Sequence, residues 1–385
     1  MTIIEKLLEN HPVRKTKKQK EAFRSWLIGE AAAMGYTAQE EKAKGYASTN
    51  LVVGNPETAQ VTYTAHYDTP PVMPIPNFIT PKNIFFYLLY QLVLTFGFLV
   101  ISAAAAALAG FLTKDPAIGM LVGMAACMGV LYLLMCGPAN KHCANDNTSG
   151  VAAVMEIMAR LPEEERSKAA FILFDNEEKG LLGSAGYAAQ HKGVKEKGLI
   201  INLDCVGDGE NILFFANKKT RALPQYALLQ EALQAQTGRN LLMEEMEKCM
   251  YPSDQANYKL GIAVCACNHG KVLGYYVDKI HTPKDTVCEQ ANLDFLADGL
   301  VAFAAKLPQE AAALSETRTE ADDPKAKTKK LVTTLVGLAA AIVGLALLMV
   351  YIRNKGEMPV FFLIGGSLLF GFGLAGFFGG AFSKK

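Results

Sequence analysis

Two kinds of apolar pattern divide this 385-residue chain. The first is unbroken. Ile84 to Leu112, Ala117 to Gly137, Leu331 to Ile352 and Met358 to Phe382 carry no charge, and each is long enough to span a hydrocarbon core that needs about 20 residues. Only Thr113-Lys114-Asp115-Pro116 separates the first two, and only Arg353-Asn354-Lys355-Gly356-Glu357 the last two. Each pair therefore reads as a tight transmembrane hairpin, the first opening on an interfacial aromatic run, Phe85-Phe86-Tyr87. Gly376-Phe377-Phe378-Gly379-Gly380 reads as close helix packing within the second.

The second pattern alternates. Leu51–Val53, Val61–Ala65, Phe171–Phe174, Leu199–Leu203 and Gly261–Cys267 read as short buried strands. Gly150–Leu161, Gly183–Gln190, Pro224–Thr237 and Asn292–Lys306 read as helices. Near-continuous apolar strands alternating with helices predict an α/β class, a three-layer α/β/α domain around a mixed, largely parallel sheet. The domain plan is a first part over residues 1–83, an inserted membrane hairpin over 84–137 and the remainder of the domain over 138–309. A solvated tether follows over 310–330, then a second hairpin over 331–385.

Composition agrees with a chain partly in lipid, at 51% hydrophobic residues. Net charge is close to zero, 38 basic against 37 acidic residues, so no overall field points to nucleic acid. Two hairpins leave residues 1–83, 138–330 and the C-terminus on one face. Lys82, Lys141, Lys325, Lys327, Lys329, Lys330, Lys384 and Lys385 flank the spans there, against Lys114, Arg353 and Lys355 opposite. The positive-inside rule places that face in the cytoplasm, giving an integral cell-membrane protein of four spans. The N-terminus lacks the apolar core of a secretory signal. Eight cysteines without a CxxC pair read as buried hydrophobes in a reducing compartment. The cluster Arg14, Lys15, Lys17, Lys18 and Lys20, beside Phe23, Trp26, Leu27 and Ile28, reads as a solvated helix face, with contact to anionic headgroups as the alternative.

Where the predicted strands end, polar clusters follow in order: His66-Tyr67-Asp68, Asp146-Asn147, Glu177-Glu178, Asp204 and His281. The C-terminal edge of a parallel sheet is where such folds place their sites. Oxygen and nitrogen donors without thiolate suit a hydrolytic zinc site better than a structural one. Glu177 and Glu178 are adjacent and must diverge, so one can ligate a metal while the other addresses a water. Asp68, two residues from His66, is placed to orient its imidazole. Tyr251 is a candidate oxyanion donor or a packing aromatic. His11, His142, His191 and His269 read as surface or loop histidines.

On these motifs the chain resembles the co-catalytic zinc aminopeptidases, the family that includes bacterial leucyl aminopeptidases, glutamate carboxypeptidase and the glutaminyl cyclases. The resemblance rests on Ala65-His66-Tyr67-Asp68, Asn145 to Gly150, Asn176 to Ser184, Asn202-Leu203-Asp204 and His281 to Thr286, with Ser253-Asp254-Gln255 a sixth match. It implies two Zn2+ ions, with Co2+ or Mn2+ as possible replacements. Asp146 would bridge them, Glu178 and His281 would complete one site, and His66 and Asp204 the other. It further implies Glu177 as general base and release of N-terminal residues from peptides. Two departures stand out: the hairpin lies between the first two motifs, and Gln255 takes the place of a usual histidine, which would reshape the pocket. The hairpin's position predicts a site mouth near the bilayer and membrane-associated peptides as substrates. A glutaminyl-cyclase-like acyltransferase, an N-acyl amino acid amidase and a non-enzymatic receptor or scaffold are the alternatives. The expected partners are a peptide and the lipid bilayer, without nucleic acid; oligomeric state, side-chain preference and native metal are left open.

Overall fold

The computed structural model describes residues 1–309; the expected tether and second hairpin lie outside them. In chain order the elements are α1 (Ile3–Asn10), α2 (Lys17–Ala33), β1 (Ala38–Lys42), β2 (Thr49–Val53), β3 (Val61–His66), α3 (Ile84–Thr113), α4 (Pro116–Cys136), α5 (Gly150–Arg160), β4 (Ala169–Phe174), α6 (Leu182–Gln190) and α7 (Lys192–Lys197). There follow β5 (Leu199–Leu203), β6 (Asn211–Ala216), α8 (Lys218–Arg221), α9 (Pro224–Gln234), β7 (Asn240–Glu245), β8 (Leu260–Gly270), β9 (Gly274–Tyr276) and α10 (Gln290–Lys306). Capping boxes start the first two helices: Thr2 with Glu5, and Thr16 with Gln19.

The strands form one mixed sheet in the order β1-β2-β4-β3-β5-β8-β6-β7, with β9 paired to β8. Its centre, β4-β3-β5-β8, is parallel. Its wings join through antiparallel pairs, β2 to β4 and β6 to β8. The five strands expected from apolar runs are present. β1, β6, β7 and β9 are additional, and the outermost, β1 with sequence AQEEK and β7 with NLLMEE, carry the charges that keep sheet edges from pairing further.

Alternation along the central strands builds two cores. Phe171 and Leu173 of β4 pack on one face with Tyr63, Ile201, Ile262 and residues of α1, α2, α5, α9 and α10. Ile172 and Phe174 turn to the other face, against Tyr187 of α6, Val194 of α7 and Tyr258. Burial on both faces is why these strands read as uninterrupted apolar runs, and it gives the expected three layers.

Residues 1–96 and 130–309 belong to one compact unit and residues 97–129 to another. α3 and α4 are long and apolar enough to cross a membrane. At 30 and 21 residues they run about 45 and 31 Å at 1.5 Å per residue. Their apolar side chains are largely uncovered, Phe96 by 67%, Phe111 by 80% and Met128 by 66% among them. Within residues 97–129 the two helices meet at small residues. A Cβ on Gly119 would stand 2.6 Å from the carbonyl oxygen of Ala106, and one on Gly123 would stand 2.7 Å from the Ala106 Cβ. That Gly-xxx-Gly spacing lets two backbones approach closely.

Candidate metal centre

The C-terminal ends of three parallel strands deliver most of the site. His66 closes β3, Glu177 and Glu178 follow β4 after a two-residue turn, and Asp204 directly follows β5. Asp146 comes from the irregular segment Ala144–Ser149 that leads into α5, and His281 from the loop after β9. The Asp146–Asn147 peptide is cis. Residues far apart in sequence thus converge, and His66, Asp146 and Asp204 are all buried.

The two oxygens of Asp146 face different partners. Oδ1 lies 3.3 Å from Nε2 of His66, which is itself 3.4 Å from Oδ1 of Asp204. Oδ2 lies 3.1 Å from Nε2 of His281, which is 3.3 Å from Oε2 of Glu178. Two donor sets, His66-Asp146-Asp204 and Asp146-Glu178-His281, therefore share one carboxylate. Donors held about 2.1 Å from a tetrahedral zinc stand about 3.4 Å from one another, close to the histidine–carboxylate distances in both sets.

The electrostatics also call for cations. Glu178 is 7% exposed in its side chain, and its Oε1 has no hydrogen-bond partner. Burial raises the pKa of Glu178 well above the usual carboxylate range, and Asp146 and Glu177 add to the rise. Glu177 is likewise pushed well up, by burial first, with His66 opposing and Asp204, Asp254 and Asp146 reinforcing. Burial would lower His66, but Glu177 and Asp204 carry it well above its ordinary value. Burial would raise Asp146, yet His281 and His66 hold it below the usual range. A packed set of carboxylates with too few partners takes up protons; bound divalent ions invert that balance.

Carboxylates outside the two sets grip the backbone that carries them. Asp68 accepts from the amides of Glu177 at 2.9 Å and Glu178 at 3.3 Å. Asp285 accepts from the amides of Asn145 at 2.7 Å and Asp146 at 3.0 Å. Asp68 also faces His66: its carboxylate stands 3.6 Å from Nδ1 and its backbone carbonyl 3.2 Å from the same atom, so the residue meets the imidazole as well as the glutamate turn.

The basic N-terminal cluster is not a solvated face throughout. Arg14, Lys20 and Arg24 are buried, while Lys17 and Lys18 are exposed. Arg14 donates from Nε to the carbonyl of Tyr67 and from Nη2 to Oγ1 of Thr148, backing the chain on both sides of the site. Lys20 bonds Asp175 and Asn176, the turn ahead of Glu177. Sequence reading missed both because a cation near Lys17 and Lys18 carries no local mark of where the helix docks.

A cavity of about 140 Å³ opens on the donors, walled by Asn77, Ile79, Cys205, Tyr251, Pro252 and Ile280 besides Glu177. Asn77 and Ile79 stand on the segment between β3 and α3, which the sequence marked only as the approach to a hairpin. That segment is tied to the loop bearing His281: Met73 donates to the carbonyl of His281, and Asn77 to that of Ile280. Tyr251 reaches the cavity, but its hydroxyl donates to the backbone carbonyl of Asp204 at 2.9 Å, so the packing alternative describes it better than an oxyanion donor. Gln255 does not line the cavity. Its amide donates to the Tyr251 carbonyl and accepts from Asn202, bracing the loop from behind. His191 pairs with Glu41 and Glu57 at the surface, and the His269 ring lies tilted against Tyr275, centroids 4.8 Å apart. No disulfide joins the cysteines, most of which are buried.

Residues 128–303 match peptidase family M28. That stretch contains Asp146, Glu177, Glu178, Asp204 and His281, whereas His66 precedes it. Among solved structures the chain is similar to the LapA aminopeptidase of Legionella pneumophila, at 14% identity over 80% of this chain and 70% of that one, with a TM-score of 0.47. It is also similar to BSAP, a zinc aminopeptidase from Bacillus subtilis, at 17% identity over 68% of this chain and 52% of that one, with a TM-score of 0.38. No curated protein matches the chain.

Proposed function

We propose that this chain, which matches peptidase family M28 over residues 128–303, works as a membrane-anchored zinc aminopeptidase with two zinc ions. The observation that carries this reading is the shared carboxylate: each Asp146 oxygen faces its own donor set, beside a cavity that Glu177 also lines. His66 and Asp204 would hold one ion, Glu178 and His281 the other, and Asp146 both. Bound zinc supplies a Lewis acid for a scissile carbonyl and an acidified water. Glu177, which lines the cavity, would take the proton of the attacking water and deliver it to the leaving amine. Asp68 and Asp285 keep the reacting groups in register by holding the amides of both ligand-bearing turns.

Anchoring is supported by α3 and α4, whose uncovered apolar surface is costly in water. The lysines beside the apolar runs support a cytoplasmic catalytic domain. Digestion of a peptide library by the purified full chain, with and without chelator, tests the function. Stepwise loss of N-terminal residues, abolished by chelation and restored by Zn2+, is the expected result. Cleavage within chains, or cyclisation of Gln-initiated peptides without hydrolysis, would replace the aminopeptidase reading.

A further inference from the structure

Glu177 and Glu178 need a turn that sends consecutive side chains to different partners, and that turn has an unusual backbone. Asn176 has φ of 56° and Leu181 has φ of 61°, in the left-handed region where a non-glycine residue must be held by its surroundings. Asp68 secures the turn from its far side by accepting the Glu177 and Glu178 amides. What holds the near side is a residue of α2, more than 150 positions earlier in the chain.

Lys20 is 6% exposed. Its ammonium donates to Oδ1 of Asp175 at 2.5 Å and to Oδ1 of Asn176 at 2.7 Å. Asp175 and Asn176 are buried too. The other atoms of these side chains are also engaged. Asp175 Oδ2 accepts from the Thr49 amide, and Asn176 Nδ2 donates to the Ala47 carbonyl and to Oγ of Ser48. Asn176 thus spans from α2 to the stretch before β2, with its own left-handed residue at the centre. An ammonium has three donors and no preferred plane, so one lysine can join a carboxylate and an amide that leave the backbone at adjacent positions.

We propose that Lys20 is a positioning residue for the metal centre: by bridging Asp175 and Asn176 it fixes the left-handed turn that directs Glu178 to its metal and Glu177 to the cavity. The proposal rests on the roles given to Glu177 and Glu178 above. It differs from the simpler idea that Lys20 only neutralises a buried carboxylate, because that idea gives the bond to Asn176 no part.

The double variant Lys20→Met/Asp175→Asn separates the two. It removes both charges together, so no buried ion is left unpaired, while Asn176 loses its donor. In full-length protein, zinc affinity measured by competition with a chelator is expected to fall about 10- to 100-fold, the usual effect of removing a partner that orients ligands. In zinc-saturated enzyme kcat is expected to fall with KM little changed. Lys20→Gln/Asp175→Asn, which keeps a donor for Asn176, is expected to recover part of the zinc affinity and serves as the milder variant for folding. Zinc affinity within twofold of the parent in the methionine variant, or equal losses in both variants, would overturn the proposal. If the parent binds zinc but trims no peptide, the aminopeptidase reading fails while the zinc competition still judges Lys20.

Discussion

In the proposed mechanism Glu177 and Glu178 divide two tasks that one carboxylate could not perform together. Glu178 Oε2 faces His281 at 3.3 Å, and Glu177 is left beside the cavity. Glu177→Gln preserves shape and removes the base, so kcat should fall by about 10²- to 10⁴-fold while zinc content, read by elemental analysis, stays at the parent level. Near-normal turnover in zinc-replete Glu177→Gln would remove the residue from its role. Asp254 behaves differently. It is fully buried, accepts from Ser184 Oγ through Oδ1, and leaves Oδ2 without a partner. Burial, opposed by His66 and Ser184 and reinforced by Asp204 and Asp68, raises its pKa from 3.8 to about 7. A carboxyl with a raised folded pKa holds its proton in the fold and releases it when unfolded. Its contribution to stability is therefore present at acid pH and lost as pH climbs from about 4 to about 7. Melting of the chelated protein should show this loss, and Asp254→Asn should flatten it. An unchanged slope in the variant would show that the transition belongs to other groups.

At the scale of elements, the alternation of β3, β4 and β5 does two jobs. It fills the cores on both faces of the sheet, and it ends each strand at the same edge, where His66, Glu177 and Asp204 emerge. The strands β2, β3, β4, β5 and β8 were readable as plain apolar runs, while β6, buried throughout as well, was not picked out. β1 and β7 were not, since edge strands are kept polar and their pairing is a property of the neighbouring strand. The donor residues themselves were legible as polar interruptions at strand ends, whereas Arg14 and Lys20 were not: their roles depend on how α2 and the segment before it dock. In the apolar hairpin, the tight step is at Gly119. Gly119→Leu should lower the melting temperature in detergent, because its Cβ would fall 2.6 Å from the Ala106 carbonyl oxygen, while Gly129→Leu, with nothing within 4 Å, should leave it unchanged. Equal effects would rule out close helix contact as the cause.

For the whole molecule, α3 and α4 lie in the chain between His66 and Asp146, and the proposed anchoring can be tested directly. The chain should sediment with membranes, resist extraction by salt or alkali, and be released by detergent; release by salt alone would count against spanning helices. Sequence by itself made legible the polar residues that converge at the strand ends, the central strands and the apolar length of α3 and α4, because polar interruptions and unbroken apolar runs each leave a local trace. Only the tertiary structure decided which carboxylates face one another and which serve the backbone. It gave Asp68 two amides to hold besides the imidazole it faces, committed the Tyr251 hydroxyl to a carbonyl, and turned Arg14 and Lys20 inward to buried partners. These outcomes depend on distances between segments up to 156 residues apart, and a hydrogen bond is a condition on such distances that no stretch of sequence contains.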